Sequence, residues 1–171
     1  MLLAKLRLTE RDYEIMRDLY SLRALTVAQI AALHFPGVTS GDLQAARKRL
    51  RRLALAGYLY PRRWMVRDGR YWKIAGIVYM LADPGMHAVC DRFGLKHRKA
   101  EDNAVESWRF ELHLLAAQVA VEARLGNIPW QWLEAREAKN KYGIPYGSPL
   151  SGMLLGKSSH GSPKVGVYAI P

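Results

Sequence analysis

Between residues 40 and 73 the chain places ten lysines and arginines against two aspartates, so this stretch carries +8 of the net +11. Residues 1–39 sum to +1, residues 74–100 to +2 and residues 101–171 to zero. Within the stretch, Ser40, Gln44, Arg47, Lys48, Arg51 and Arg52 recur at three- and four-residue intervals. A guanidinium can grip guanine through two hydrogen bonds, and a carboxamide can do the same for adenine. Cations further along such a row neutralise phosphates. Arg62, Arg63, Arg67, Arg70 and Lys73 then follow within a few residues. Positive charge gathered in one place on an otherwise balanced chain is the footprint of a polyanion, most often nucleic acid. A membrane surface would attract the same charge, but it needs a wide apolar face exposed opposite, and here that face is committed to a core.

Other reactive groups are sparse. Glu137-Ala138-Lys139 reproduces an E-x-K spacing and Glu134 lies nearby, but no upstream Asp completes a metal pair. His34, His87, His97, His113 and His160 lack ligand spacing and read as structural. Gly156-Lys157-Ser158 resembles the tail of a phosphate-binding loop, but no glycine stands five residues before Gly156. Cys90 is the only cysteine, which excludes an internal disulfide or a thiolate zinc cluster. A reducing cytoplasm is the expected compartment. The first residues, MLLAKLRLTERDYE, do not form a signal peptide, and no run approaches the roughly 20 apolar residues of a membrane span. No catalytic residue, cofactor or metal is expected.

The elements that would position the basic residues follow from apolar spacing and caps. Thr9, with Asp12 three residues on, starts a helix with Ile15, Met16, Leu19, Tyr20 and Leu22 on one side. Thr26 caps a second helix from Val27 to Phe35, burying Val27, Ile30, Ala31 and Leu33, and Pro36-Gly37 breaks the chain. A third helix opens at Thr39 or Ser40 and runs to Ala56, closed by Gly57. At about 100° per residue, Leu43, Ala46, Leu50, Leu53 and Ala54 converge on one face. Gln44, Ala45, Lys48, Arg51 and Arg52 point the other way, with Arg47 and Arg49 on the edges.

Tyr58–Tyr60 and Trp64–Val66 read as strand, Arg67-Asp68-Gly69-Arg70 as a hairpin turn, and Tyr71–Leu81 as its partner strand with Gly76 at a bend or bulge. Trp64, Tyr71 and Trp72 could stack on bases, but alternation in a half-buried hairpin accounts for at least two of them as core residues. A short helix spans Met86–Phe93, and residues 94–103 form a polar connector. A long helix follows over Ala104–Leu125, with Val105, Trp108, Leu112, Leu115 and Val119 at 3-4-3-4 spacing, fit for internal packing or for pairing with a second copy. Trp130–Leu133 reads as a strand, the Gly/Pro-rich chain from Lys139 mostly as loop, and Val165–Ile170 as a last strand.

The order helix, helix, helix, strand, strand predicts an α+β fold: a winged helix-turn-helix domain over 1–94, then a long helix and small α/β region over 95–171. In such docking the N-terminal half of the third helix meets base edges and its C-terminal half the backbone. That assigns base reading to Ser40, Gln44, Arg47 and Lys48, phosphates to Arg51 and Arg52, and a wing to Arg62, Arg63, Arg67, Arg70 and Lys73.

Leu8-Thr9-Glu10-Arg11-Asp12, Leu25-Thr26-Val27-Ala28-Gln29-Ile30 and Phe35-Pro36-Gly37-Val38 are followed by Arg49-Leu50-Arg51-Arg52-Leu53 and Ala56-Gly57-Tyr58-Leu59. With Val78-Tyr79-Met80-Leu81 and Gly85, this chain resembles the replication-relaxation family of plasmid and mobile-element proteins. It is also similar to mobilisation accessory proteins with an N-terminal winged helix. His97 and Asn103 match positions where that family tends to carry a His and an Asn. The resemblance implies a nuclease-like region of the PD-(D/E)xK type after the winged helix, with Glu134 as its leading acid. Pro163-Lys164 stands where a Pro-Asp would be expected, and the sequence ends before the strand of the (D/E)xK pair, so the resemblance implies a vestigial or truncated region.

The leading expectation is a non-enzymatic, sequence-preferring double-stranded DNA-binding protein of a mobile element, acting in plasmid replication, transfer or transcriptional control. It would act as a homodimer through the long-helix stripe and without a membrane. The alternatives are an interaction module for a relaxase or replication protein, and a divergent nuclease of the PD-(D/E)xK type.

Overall fold

The computed structural model describes residues 6–35, 39–68, 70–103, 110–126, 130–143, 150–156 and 164–168. Helix α1 (Glu10–Leu22) is followed by the short strand β1 (Leu25–Thr26), α2 (Val27–His34) and α3 (Ser40–Leu55). Strands β2 (Leu59–Asp68) and β3 (Tyr71–Leu81) form a long hairpin, and α4 (Asp83–Phe93) closes this part. A 3-10 turn at Ala100–Asn103 leads toward α5 (Phe110–Leu125), β4 (Trp130–Glu134), α6 (Ala135–Tyr142), β5 (Leu150–Gly156) and β6 (Lys164–Tyr168). The fold is α+β, with two three-stranded antiparallel sheets ordered β1-β3-β2 and β4-β5-β6.

Each of the first three helices starts on a threonine answered by a polar residue three positions later. The Thr9 backbone N–H donates to Asp12 Oδ2 at 2.6 Å, the Thr26 N–H to Gln29 Oε1 at 2.9 Å, and the Thr39 N–H to Asp42 Oδ2 at 3.1 Å. α3 ends in a Schellman turn: the Gly57 N–H donates to the Ala54 carbonyl and the Tyr58 N–H to the Leu53 carbonyl, both at 3.0 Å. Gly57 sits at φ +81°, where a side chain would be strained.

The main core gathers Ile15, Met16 and Leu19 of α1, Ile30 of α2, Leu50 and Leu53 of α3, and Met86 and Val89 of α4. Burying each such side chain is worth about 1.5–3 kcal/mol, so this cluster carries most of the apolar driving force. Alternation along β3 sends Tyr79 and Leu81 into that core and Val78 and Met80 to the other face, where they meet Ala24 and Leu114. The root of the hairpin is therefore covered on both sides. Trp64 packs beside the second cluster, over Gly76.

Polar ties fasten α5 to the helices. Gln29 Nε2 donates to the Leu114 carbonyl (3.2 Å) and to Gln118 Oε1 (3.0 Å), and His113 Nε2 meets the Leu22 carbonyl. Asp18 accepts from Arg124 on both oxygens at 2.6 Å and contacts His34 Nε2 at 2.7 Å. Ala117, Ala120 and Val121 complete the main core from α5.

Several expectations are corrected. α4 begins at Asp83, not Met86, because Pro84 falls in the first turn, where its missing N–H costs nothing. Gly85 is demanded by packing: a Cβ there would lie 2.1 Å from the Tyr58 carbonyl oxygen. β2 runs unbroken through Pro61, tolerated because β2 is an edge strand. Among the described residues from Lys139 onward, α6 continues to Tyr142 and β5 spans Leu150–Gly156, both in a stretch read as mostly loop. The described part of the last strand covers Lys164–Tyr168. Leu115 (61% exposed) and Val119 (42%) do not pack internally; α5 buries Leu114, Ala116, Ala117, Ala120 and Val121 instead. Val105 and Trp108 lie outside the described residues. Of the hairpin aromatics, Trp64 packs beside the core, Tyr71 is 80% exposed, and the side chain of Trp72 lies outside the described residues.

Candidate nucleic-acid interface

α3 lies with Ala46, Leu50 and Leu53 fully buried, so its remaining arc is set by helical geometry. Ser40, Gln44, Arg47, Lys48, Arg51 and Arg52 all fall on that arc, within about 140°, and all are exposed. Leu55 shares it. Among the described residues no carboxylate pairs with Arg47, Lys48, Arg51, Arg52, Arg62, Arg63 or Arg70. Asp42 is bound into its own cap. It accepts from the Thr39 hydroxyl at 2.6 Å, and that bond, with the Thr39 N–H, holds its carboxyl below the ordinary range.

Arg49 behaves differently from its neighbours. It points back to α1, where Nε donates to Asp12 Oδ1 at 2.7 Å, while Nη2 meets Asp12 Oδ2 and donates to the Arg7 carbonyl at 3.2 Å. Burial pushes the Asp12 carboxyl up, but the bonds from Arg49 and Thr9 outweigh it and leave the group below its usual range. Arg49 is raised by the same partnership. This ion pair fixes the rotation of α3 against α1 and thereby the direction of the other cations. A sequence reading places Arg49 on an edge and gives it no partner, because Asp12 is 37 residues away.

The hairpin follows α3 directly and packs against it. Tyr79 and Leu81 at the root of β3 share the core with Leu50 and Leu53 of α3, and burial pushes the Tyr79 phenol up. Arg62, Arg63, Arg70 and Lys73 are exposed along the hairpin, and the side chain of Arg67 lies outside the described residues. The register shifts at its middle: Trp64 pairs with Gly76 and Met65 with Ile74, leaving Ala75 as the extra residue of a bulge.

The remaining candidates for chemistry do not assemble into a site. His34 is held by Asp18 and His113 faces the Leu22 carbonyl. The His87 and His97 rings lie 5.0 Å apart, and His97 meets Asp91 at 3.1 Å. Among the described residues no group of three or more His, Cys, Asp or Glu is placed to hold a metal. Cys90 is buried, and that burial pushes its thiol up, away from reactivity. The side chains of Glu134 and Glu137, and residues 157–163 with His160, lie outside the described residues. Among the described residues no helix is long and apolar enough to cross a membrane.

The molecule is thus an α+β protein that exposes arginines and lysines on a helix and on the hairpin that follows it. A family model described as Replication-relaxation matches residues 16–145. The chain belongs to the replication-relaxation family. No curated protein and no solved structure matches it.

Proposed function

We propose that the chain is a duplex DNA-binding protein of a replication or mobile-element system, without enzymatic activity, working in the cytoplasm. α1 to β3 act as a winged helix-turn-helix: α3 enters the major groove, and the β2–β3 hairpin is the wing. Ser40, Gln44, Arg47 and Lys48 meet base edges. Arg51, Arg52, Arg62, Arg63, Arg67, Arg70 and Lys73 meet phosphates. The observation that carries this reading is the row of exposed α3 cations without carboxylate partners among the described residues, beside Arg49, which has one. A row meant for intramolecular pairing would have been answered like Arg49.

Selection of bound sequences from a random duplex pool should return a consensus. Arg47→Ala with Lys48→Ala should weaken binding to it by about 1–3 kcal/mol for each base that is no longer read. A double variant that binds the selected duplex as tightly as the parent would refute the assignment of α3.

A second reading has its own support. Leu115 and Leu125 are exposed on α5 beside a shallow groove bounded by Ala28 and Ala32 of α2. That side would hold a second copy of the chain, or a relaxase or replication protein, while α3 faces DNA.

A further inference from the structure

The hairpin carries exposed apolar residues that neither the core nor phosphate binding accounts for. Met65 is 44% exposed, Ile74 56% and Ile77 46%. Strict alternation would put Ile74 and Ile77 on opposite faces. The bulge at Ala75 cancels that: Arg63 pairs with Ile77 and Met65 with Ile74, so all four share one face. It is the face that Tyr79 and Leu81 turn toward the helices, continued beyond the core. Tyr79, the next residue inward on that face, shares the core with Leu50 and Leu53 of α3. The apolar strip therefore continues, beyond the core, the face of the hairpin that packs against α3.

From this juxtaposition we infer that Met65, Ile74 and Ile77 form a hydrophobic wedge that enters the minor groove beside the α3 contact and bends the duplex. The inference rests on the duplex-binding reading and adds to it the deformation of the ligand. Charge complementarity selects the occupant. Arg63 lies within the strip and Arg70 is exposed at the tip of the hairpin, while Arg62, paired with Val78, is exposed on the opposite face. A groove offers sugar and base surface between two rows of phosphates, which matches an apolar strip that carries a cation, Arg63, on its own face. A second copy docked here through a two-fold contact would bring the same arginines of both chains together.

The test uses the full chain and a selected 30-base-pair duplex, roughly three helical turns, labelled at its ends with a fluorescence-transfer pair. The parent should shorten the end-to-end distance, as a bend of about 20–90° would. Met65→Ser with Ile74→Ser should bind roughly 10-fold more weakly and leave the duplex straight, with the slope of log affinity against log salt unchanged. Both residues are exposed, so an unaltered melting temperature checks that folding is intact. Replacing guanine by inosine removes the 2-amino group from the minor groove and should change bending by the parent but not by the variant.

Unchanged bending by the double variant overturns the inference alone, as does indifference of the parent to inosine. Loss of self-association in place of bending marks the strip as an interface between copies and overturns it equally. A parent chain that binds no duplex overturns the proposed function and this inference with it.

Discussion

Asp12→Ala is the substitution whose effect the structure specifies most fully. The Asp12 carboxylate is completely buried and accepts from Arg49 on both oxygens, from the Thr9 N–H at 2.6 Å and from the Thr9 hydroxyl at 2.7 Å. Its removal leaves a largely buried guanidinium uncompensated and opens the first turn of α1. Breaking a buried pair from one side costs about 3–5 kcal/mol, and the missing cap adds about 1 kcal/mol. Against a total stability of roughly 5–15 kcal/mol, that is a drop in melting temperature of about 10 °C or more.

The carboxyl is depressed in the folded state, so its contribution is fully present above the unfolded value of 3.8 and is lost as pH falls through the lower folded value. The gap between parent and variant, read by circular dichroism melts, should therefore narrow on acidification below about pH 4. Asp12→Leu with Arg49→Met removes both charges and should recover part of the loss. A single variant that melts within about 2 °C of the parent at pH 7 would refute the claim that this pair anchors α3.

Arg51→Ala with Arg52→Ala should lower the slope of log affinity against log salt by about 2, since each neutralised phosphate contributes about 0.9, as measured by fluorescence anisotropy across a salt series. Gly85→Ala should destabilise the protein by about 2 kcal/mol or more in urea denaturation, because its Cβ meets backbone, which cannot step aside as a side chain can. Leu115→Glu with Val119→Glu should leave the melting temperature nearly unchanged, both residues being exposed. If α5 holds a second copy, the same variant should halve the mass seen by light scattering.

What is legible in the sequence is local. Thr9, Thr26 and Thr39 announce three helix starts because a cap and its answering residue lie three positions apart. Gly76 announces the bulge because glycine alone leaves room there for the Trp64 indole, whose Nε1 would lie 3.0 Å from a Cβ. The cationic face of α3 is equally legible, since its exposure follows from the buried stripe opposite. Partnerships across the chain are not. Arg49 is indistinguishable in sequence from its neighbours, yet it is the one turned inward to Asp12. On α5 the larger residues Leu115 and Val119 suggest the core, whereas close approach to α2 selects Ala117, Ala120 and Val121. β5 is hidden by the Gly/Pro-rich composition around it. Simple alternation from Tyr79 would put Tyr71 on the inner face, but the extra residue Ala75 turns it to the opposite one, where it is exposed.

The place where the covering layer stops governs how the hairpin responds to force. Up to Val78 the strand β3 is clamped between two sets of side chains, Tyr79 and Leu81 on one side and Val78 and Met80 on the other. Past Gly76 Ile74 and Tyr71 stand exposed. The arrangement is a cantilever: a stiff beam gripped at one end and loaded at the other. A push at its tip is delivered to α5 and to the α1–α3 cluster together, and amide exchange should be fast outward of Gly76 and slow inward of it.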